Sequence, residues 1–221
     1  MSPRGLTRER PTKRPLIVLA GEDSNDRKVF RTLLEAVCPD AQGRIVEINS
    51  IIRLRDAKDA TLVDRAGKLA GAIRARATRE QAEVACVFIH EDFDATDSPK
   101  RDAIRARVNS ALRREIANSH YILAAWEIEA WMLLFPDAVS AVNATWVIPN
   151  RFRGMDTGRI TDPKRAMQHE VSTVPRSRYR ESDAPKIFEK IIELGLYDSP
   201  SGSNRSYCEL RQSASDCCAA L

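Results

Sequence analysis

A short apolar run that ends in a burst of acid sets the limits on this chain. Val84 to Ile89 reads as a strand, and Glu91, Asp92, Asp94 and Asp97 follow it, four carboxylates within seven positions. So dense and short an apolar run suits a strand buried on both faces of a sheet. The acidic tip then gathers like charges at one sheet edge, where they repel unless a divalent cation or an arginine joins them. In an open α/β sheet that edge, beyond the carboxyl ends of the strands, is where ligands bind.

Strand and helix signals alternate along the rest of the chain. Leu16-Ile17-Val18-Leu19-Ala20 is a second buried-strand run, and Gly21-Glu22-Asp23-Ser24-Asn25-Asp26 turns out of it. The helix that follows carries Val29, Phe30, Leu33, Leu34 and Val37 on one side, with Ser24, Asn25 or Asp26 as its cap. Residues 44–48 form a further strand, and residues 49–60, polar and charged, read as a surface loop. Leu62, Val63, Ala66, Leu69, Ala70 and Ile73 mark a helix over 61–78. Ile104, Val108, Leu112 and Ile116 mark another over 99–118, with Arg101, Arg105, Arg107, Arg113 and Arg114 on its other faces. Tyr121 to Ala125 is a fourth strand, and one helix is expected from Trp126 to about Val142.

Such alternation with short links implies parallel strands and right-handed crossovers. The expected fold is therefore α/β, a Rossmann-like, mostly parallel sheet flanked by helices. Beyond Asn143 the texture is helical: a short helix at Asp162-Pro163, another over 183–194 and a last one after Ser203. The expected division is a disordered basic arm (1–15), an α/β domain (16–145) and a small helical appendage packed on it (146–221).

Composition excludes little. Thirty-five basic residues stand against 31 acids in 221, a net charge of +4, so distribution matters more than balance. No stretch approaches the ~18 apolar residues of a membrane span. The basic N-terminus lacks a signal peptide's apolar segment and cleavage site, and the expected compartment is the cytosol. Five cysteines with no C-x-x-C pair argue against a zinc site or a disulfide framework, and read as ordinary thiols.

Two groups of residues point to chemistry. Glu22 and Asp26 follow the first strand, and Asp92 and Asp94 follow the third; if those strands are neighbours the carboxylates converge. Three hard oxygen ligands suit Mg²⁺ or Mn²⁺, with a further carboxylate as general acid or base. The plainer reading makes the same acids helix-start residues favoured by the dipole. Trp126 and Trp131 read as core, and His90 as a neighbour of the site. Glu127 and Glu129, two apart on a helix, are expected to diverge. Arg151-Phe152-Arg153 and Arg178-Tyr179-Arg180 interleave arginines with rings. With Lys164 they read as a nucleic-acid surface on which rings stack bases and cations hold phosphates.

These motifs resemble a known fold family. Gly21-Glu22 with Asp26 is similar to the glutamate motif of TOPRIM domains, although Asp23 stands where that motif usually has glycine. Asp92-Phe93-Asp94 after an apolar strand resembles their DxD motif. Glu129-Ala130-Trp131 with Leu133-Leu134, Pro163-Lys164 and Tyr179-Arg180-Glu181 resemble an uncharacterised TOPRIM-like family near the OLD-type nucleases and RloB-like proteins. The resemblance implies a TOPRIM-like domain with Glu22, Asp26 and Glu129 as catalytic acids and Glu22, Asp92 and Asp94 around Mg²⁺. It implies a nuclease active in phage defence, with an ABC-type ATPase as partner, or a silent module that binds nucleic acid or protein. A receiver's first acidic loop is also similar to residues 19–28, but no Lys-Pro follows at the place a receiver requires it. The C-terminal helices could pair two copies in an oligomer.

Overall fold

Alternate side chains of the central strands serve two different cores, and that alternation fixes the architecture. The computed structural model describes residues 15–49 and 53–221. The basic arm expected over residues 1–15 therefore falls, apart from Pro15, outside the described residues. Strands β1 (Pro15–Gly21), β2 (Ile45–Ile48), β3 (Glu83–Asp92) and β4 (Ser119–Ala124) form one all-parallel sheet in the order β2-β1-β3-β4. Ile17, Leu19 and Phe88 face a core built with α1 (Ser24–Val37), α7 (Ala184–Glu193) and α8 (Arg205–Cys218). Val18, Ala20, Val87 and Ile89 face the opposite core, against α2 (Asp59–Arg79) and α3 (Pro99–Glu115). A two-residue period delivers each strand's apolar groups to both layers, and each large side chain so buried is worth about 1.5–3 kcal/mol. The fold is α/β and Rossmann-like.

The chain runs from β1 outward to β2, then returns past β1 to β3. The strand order thus reverses between β1 and β3, which lie side by side with Gly21 level with His90. That reversal opens a crevice at the carboxyl ends of the two strands.

Several elements differ from expectation. The helix expected over 126–142 is two short pieces, α4 (Glu129–Met132) and α5 (Pro136–Val142). Pro136 lacks an N–H and pushes Phe135 out of helical backbone, to φ −127° and ψ 69°. Trp126, with φ at 59°, bars helix on the other side. In the loop expected to be exposed over 49–60, Leu54 and Ala57 are buried. The cap of α1 is Asp23, whose carboxylate accepts from the Asp26 amide at 2.9 Å. Arg101 is fully buried, donating to the Leu123 carbonyl and the Glu209 carboxylate.

The C-terminal helices share their core with the sheet. Ile187, Phe188, Tyr207 and Leu210 belong to the same cluster as Ile17 and Phe88, so the apolar faces of these helices are buried within the chain. The cysteines also depart from expectation. Cys38 is bonded to Cys218 and Cys86 to Cys217, leaving Cys208 free and exposed. The partners lie 180 and 131 residues apart, so no local spacing announces them. Among the described residues no helix is long and apolar enough to cross a membrane.

Candidate functional site

The pleat of β3 sorts its terminal residues onto two faces. His90 and Asp92 point towards α1 and α4 (Glu129–Met132), while Glu91 points the other way. The His90 ring packs 5.0 Å from Phe30 and 5.9 Å from Trp131, which is core as its sequence suggests. Its Nδ1 lies 3.2 Å from Asp26 Oδ2, brought there by the first turn of α1. Burial opposes charge on the imidazole, but Asp26, Asp92 and Glu22 outweigh it and raise His90 to about 9. On the other ring edge, Nε2 lies 3.6 Å from Asp92 Oδ1, and both atoms are buried without a hydrogen-bond partner. Burial, with Asp26, Glu129 and Glu127 nearby, drives the Asp92 carboxyl well above its ordinary range against the pull of His90.

Asp92 lines a crevice with Asp26, Glu129, Lys164 and Glu181, whose cavity volume is about 20 Å³. That is room for a single water or a small cation. The sequence reading had Glu127 and Glu129 diverging, and the structure corrects this: both are buried and both reach Lys164's surroundings. Glu127 precedes α4 and lies outside the helix, so the helical separation does not apply. Its carboxylate accepts the Lys164 amide at 2.8 Å and the Lys164 ammonium at 2.9 Å. Glu129 accepts a 2.9 Å hydrogen bond from the buried Tyr179 hydroxyl. Burial and the charge on Glu127 raise Glu129 to about 8 against Lys164 and that hydrogen bond.

Beside the crevice stands a second acidic group. Asp94, exposed and at φ 55°, pairs with the Arg55 guanidinium, which also donates to the Asp92 carbonyl. Glu22 is half-buried; burial raises its carboxyl, Arg55 and His90 oppose, and Asp94 and Asp26 add to the rise. The two acids of Asp92-x-Asp94 thus part company, one in the crevice and one at Arg55. Among the described residues no three His, Cys, Asp or Glu side chains are drawn together tightly enough to hold a metal ion. The protein's own cations meet most of the acids: His90 at Asp26, Arg55 at Asp94 and Lys164 at Glu127. Asp92 Oδ1 faces His90 Nε2 at 3.6 Å and accepts no hydrogen bond.

The arginine-rich segments look different in three dimensions. Arg151, Arg153, Arg178 and Arg180 are exposed, but Phe152 and Tyr179 between them are buried. Tyr179 packs on Trp146, with ring centroids 5.9 Å apart, and so cannot stack on a base. Arg151 lies over the Phe152 ring and pairs with Glu170, and Arg153 donates to the Ile148 carbonyl. Lys164, on the one-turn α6 (Pro163–Ala166), is half-buried in the crevice rather than on an open surface.

Sequence reasoning overlooked Arg55 and the buried pair Glu91 and Tyr121. Arg55 lies in an irregular segment with no periodic signal, and Glu91 was one acid among four. In comparisons with known proteins, the chain matches no protein-family model, no curated protein and no solved structure.

Proposed function

We propose that the crevice is the active site of a divalent-metal-dependent phosphodiester hydrolase acting on nucleic acid. The observation that carries this reading is Asp92 Oδ1, a buried carboxylate oxygen that faces His90 Nε2 at 3.6 Å but accepts no hydrogen bond, in a cation-sized crevice shared with Asp26 and Glu129. Hard carboxylate oxygens suit Mg²⁺ or Mn²⁺, and Asp92, Asp26 and Glu129, which line the crevice without being drawn tightly together, would have to close on the ion to hold it. Bound there, the ion would supply charge stabilisation to a phosphate under attack. Glu22 is the candidate general acid or base, a half-buried carboxyl beside the crevice that burial raises from its ordinary range. In the reaction a water oxygen bonds to phosphorus, the bond from phosphorus to the leaving oxygen breaks, and that oxygen takes up a proton. The exposed arginines at positions 151, 153, 178 and 180 would hold phosphates of the polyanion, by charge alone and without base stacking.

A second reading, a silent binding module, draws on the ion pairs that already satisfy Asp26, Asp94 and Glu127. Cleavage of labelled DNA and RNA with Mg²⁺ or Mn²⁺, comparing the wild type with Asp92→Asn, separates the two. Metal-dependent cutting that falls at least a hundredfold in the variant supports the hydrolase. Cutting that survives the substitution refutes the role of Asp92, and absence of both cutting and metal binding leaves the silent module. Metal binding without cutting directs attention to a required partner such as an ATPase.

A further inference from the structure

The three tryptophans of the chain are used in two different ways. Trp131 and Trp146 are 0% and 3% exposed, lie in the core shared with α7 and α8, and donate their indole N–H to Ser206 Oγ and the Ser177 carbonyl. Trp126, core on its sequence reading, does neither. Among the described residues it belongs to neither core, and its Nε1 is buried without a hydrogen-bond partner. The residue is half-buried, and its backbone is left-handed at φ 59°, a conformation that costs a bulky side chain energy and glycine none.

Three backbone hydrogen bonds hold it there. The Phe93 and Asp94 amides donate to its carbonyl at 3.1 and 3.2 Å, and its own amide donates to the Ala95 carbonyl at 2.8 Å. Ala124, two residues earlier, is level with Asp92 in the sheet, and Glu127, which binds Lys164, follows it. Trp126 therefore stands at the carboxyl ends of β3 and β4, between the Asp92-x-Asp94 loop and the crevice. The turn would accept glycine more cheaply, so the bend does not account for the tryptophan, and packing does not account for it when both cores leave the ring out. A strained residue at a ligand-binding edge is kept for what its side chain does, and an indole offers a large flat face.

We propose that Trp126 stacks on an unpaired base, so that the nucleic acid taken by this edge is single-stranded where it meets the site. This rests on the reading of the crevice as a nucleic-acid site. A base paired and stacked inside a duplex has no free face, whereas an unpaired base stacks on an aromatic ring whatever its identity. Phe152 and Tyr179 cannot serve, because the core buries them.

Binding of a labelled single-stranded oligonucleotide to the full chain, in a chelator so that no metal takes part, tests it. Tryptophan emission is expected to fall on binding, since Trp131 and Trp146 are out of reach, and that response is expected to be lost in Trp126→Phe. Trp126→Ala should weaken binding at least about fivefold, and Trp126→Phe, which keeps a ring, less than about threefold. Removing single bases along the oligonucleotide should find a position whose loss weakens the wild type about fivefold and leaves Trp126→Ala unaffected. Trp126→Gly, suited to the left-handed backbone, keeps the comparison if Trp126→Ala does not fold. A blunt duplex of the same sequence should leave the emission unchanged; an equal response to it overturns the single-stranded assignment. Emission unmoved by the single strand, or full affinity in either folded variant that lacks the ring, overturns the stacking and leaves the exposed arginines to hold phosphates. Absence of any binding by the wild type removes the proposal and the nucleic-acid reading together.

Discussion

Replacing Tyr121 with phenylalanine tests the buried network behind the site. The Tyr121 ring is 1% exposed, and its hydroxyl donates to Glu91 Oε2 at 2.6 Å. The same carboxylate accepts the Leu54 and Arg55 amides, so the hydroxyl is one of three donors on a buried acid. A hydrogen bond to a charged group is worth about 1.5–3 kcal/mol. Tyr121→Phe leaves the ring's packing intact, and the expected loss is about 2 kcal/mol. At about 2–4 °C per kcal/mol for a chain of this size, Tm should fall by roughly 4–8 °C. The sign of the pH dependence follows from Glu91. Burial raises its carboxyl, while Tyr121 and the two amides work against the rise. An acid raised in the fold costs stability as pH climbs through its folded value. Losing the hydroxyl pushes that value higher, so the deficit of the variant should be larger at pH 8 than at pH 5. Urea unfolding at both pH values, with hydrogen exchange at Leu54 and Arg55, is the assay. A deficit below about 0.5 kcal/mol, or one independent of pH, would refute the hydroxyl's role at Glu91.

Two further outcomes are expected. His90 is raised from 6.5 to about 9, so its stabilising contribution is complete below pH 6.5 and is lost as pH rises through 9. Imidazole NMR should show a midpoint near 9 that drops by at least about one unit in Asp26→Asn; a wild-type midpoint at or below 6.5 contradicts the pairing. Thiol titration of the denatured, unreduced chain should find Cys208 alone, and five reactive thiols would show that neither cysteine pair is linked.

Much of the framework was legible in the residues. Short apolar runs at 16–20, 84–89 and 121–125 became β1, β3 and β4, because a strand buried on both faces needs uninterrupted apolar character. One-sided stripes became α1, α2, α3 and α7, because a helix must bury one face. The placing of Glu22, Asp26 and Asp92 at one edge also followed, since parallel strands in a wound sheet end on the same side. The break at Pro136 had a local signal too, which the apolar run from Trp131 to Phe135 obscured.

Partners brought from afar had no such signal. Glu91 and Asp92 are adjacent in sequence yet serve opposite faces, and only the packed sheet says which networks they join. Arg55 and Tyr179 reach the acids from irregular segments, and Lys164 from a single helical turn at Pro163–Ala166, where no periodicity states direction. Phe152 and Tyr179 resembled stacking rings until the C-terminal core took them in. Cys217 and Cys218 meet Cys86 and Cys38 only because α8 packs against β4 and α1. By itself the sequence determined the strands, the helices and the acidic edge, since these depend on neighbours within a few residues. Which cation answers each carboxylate was decided by tertiary structure alone, because charge pairing depends on distance in space and the chain's spacing does not encode it.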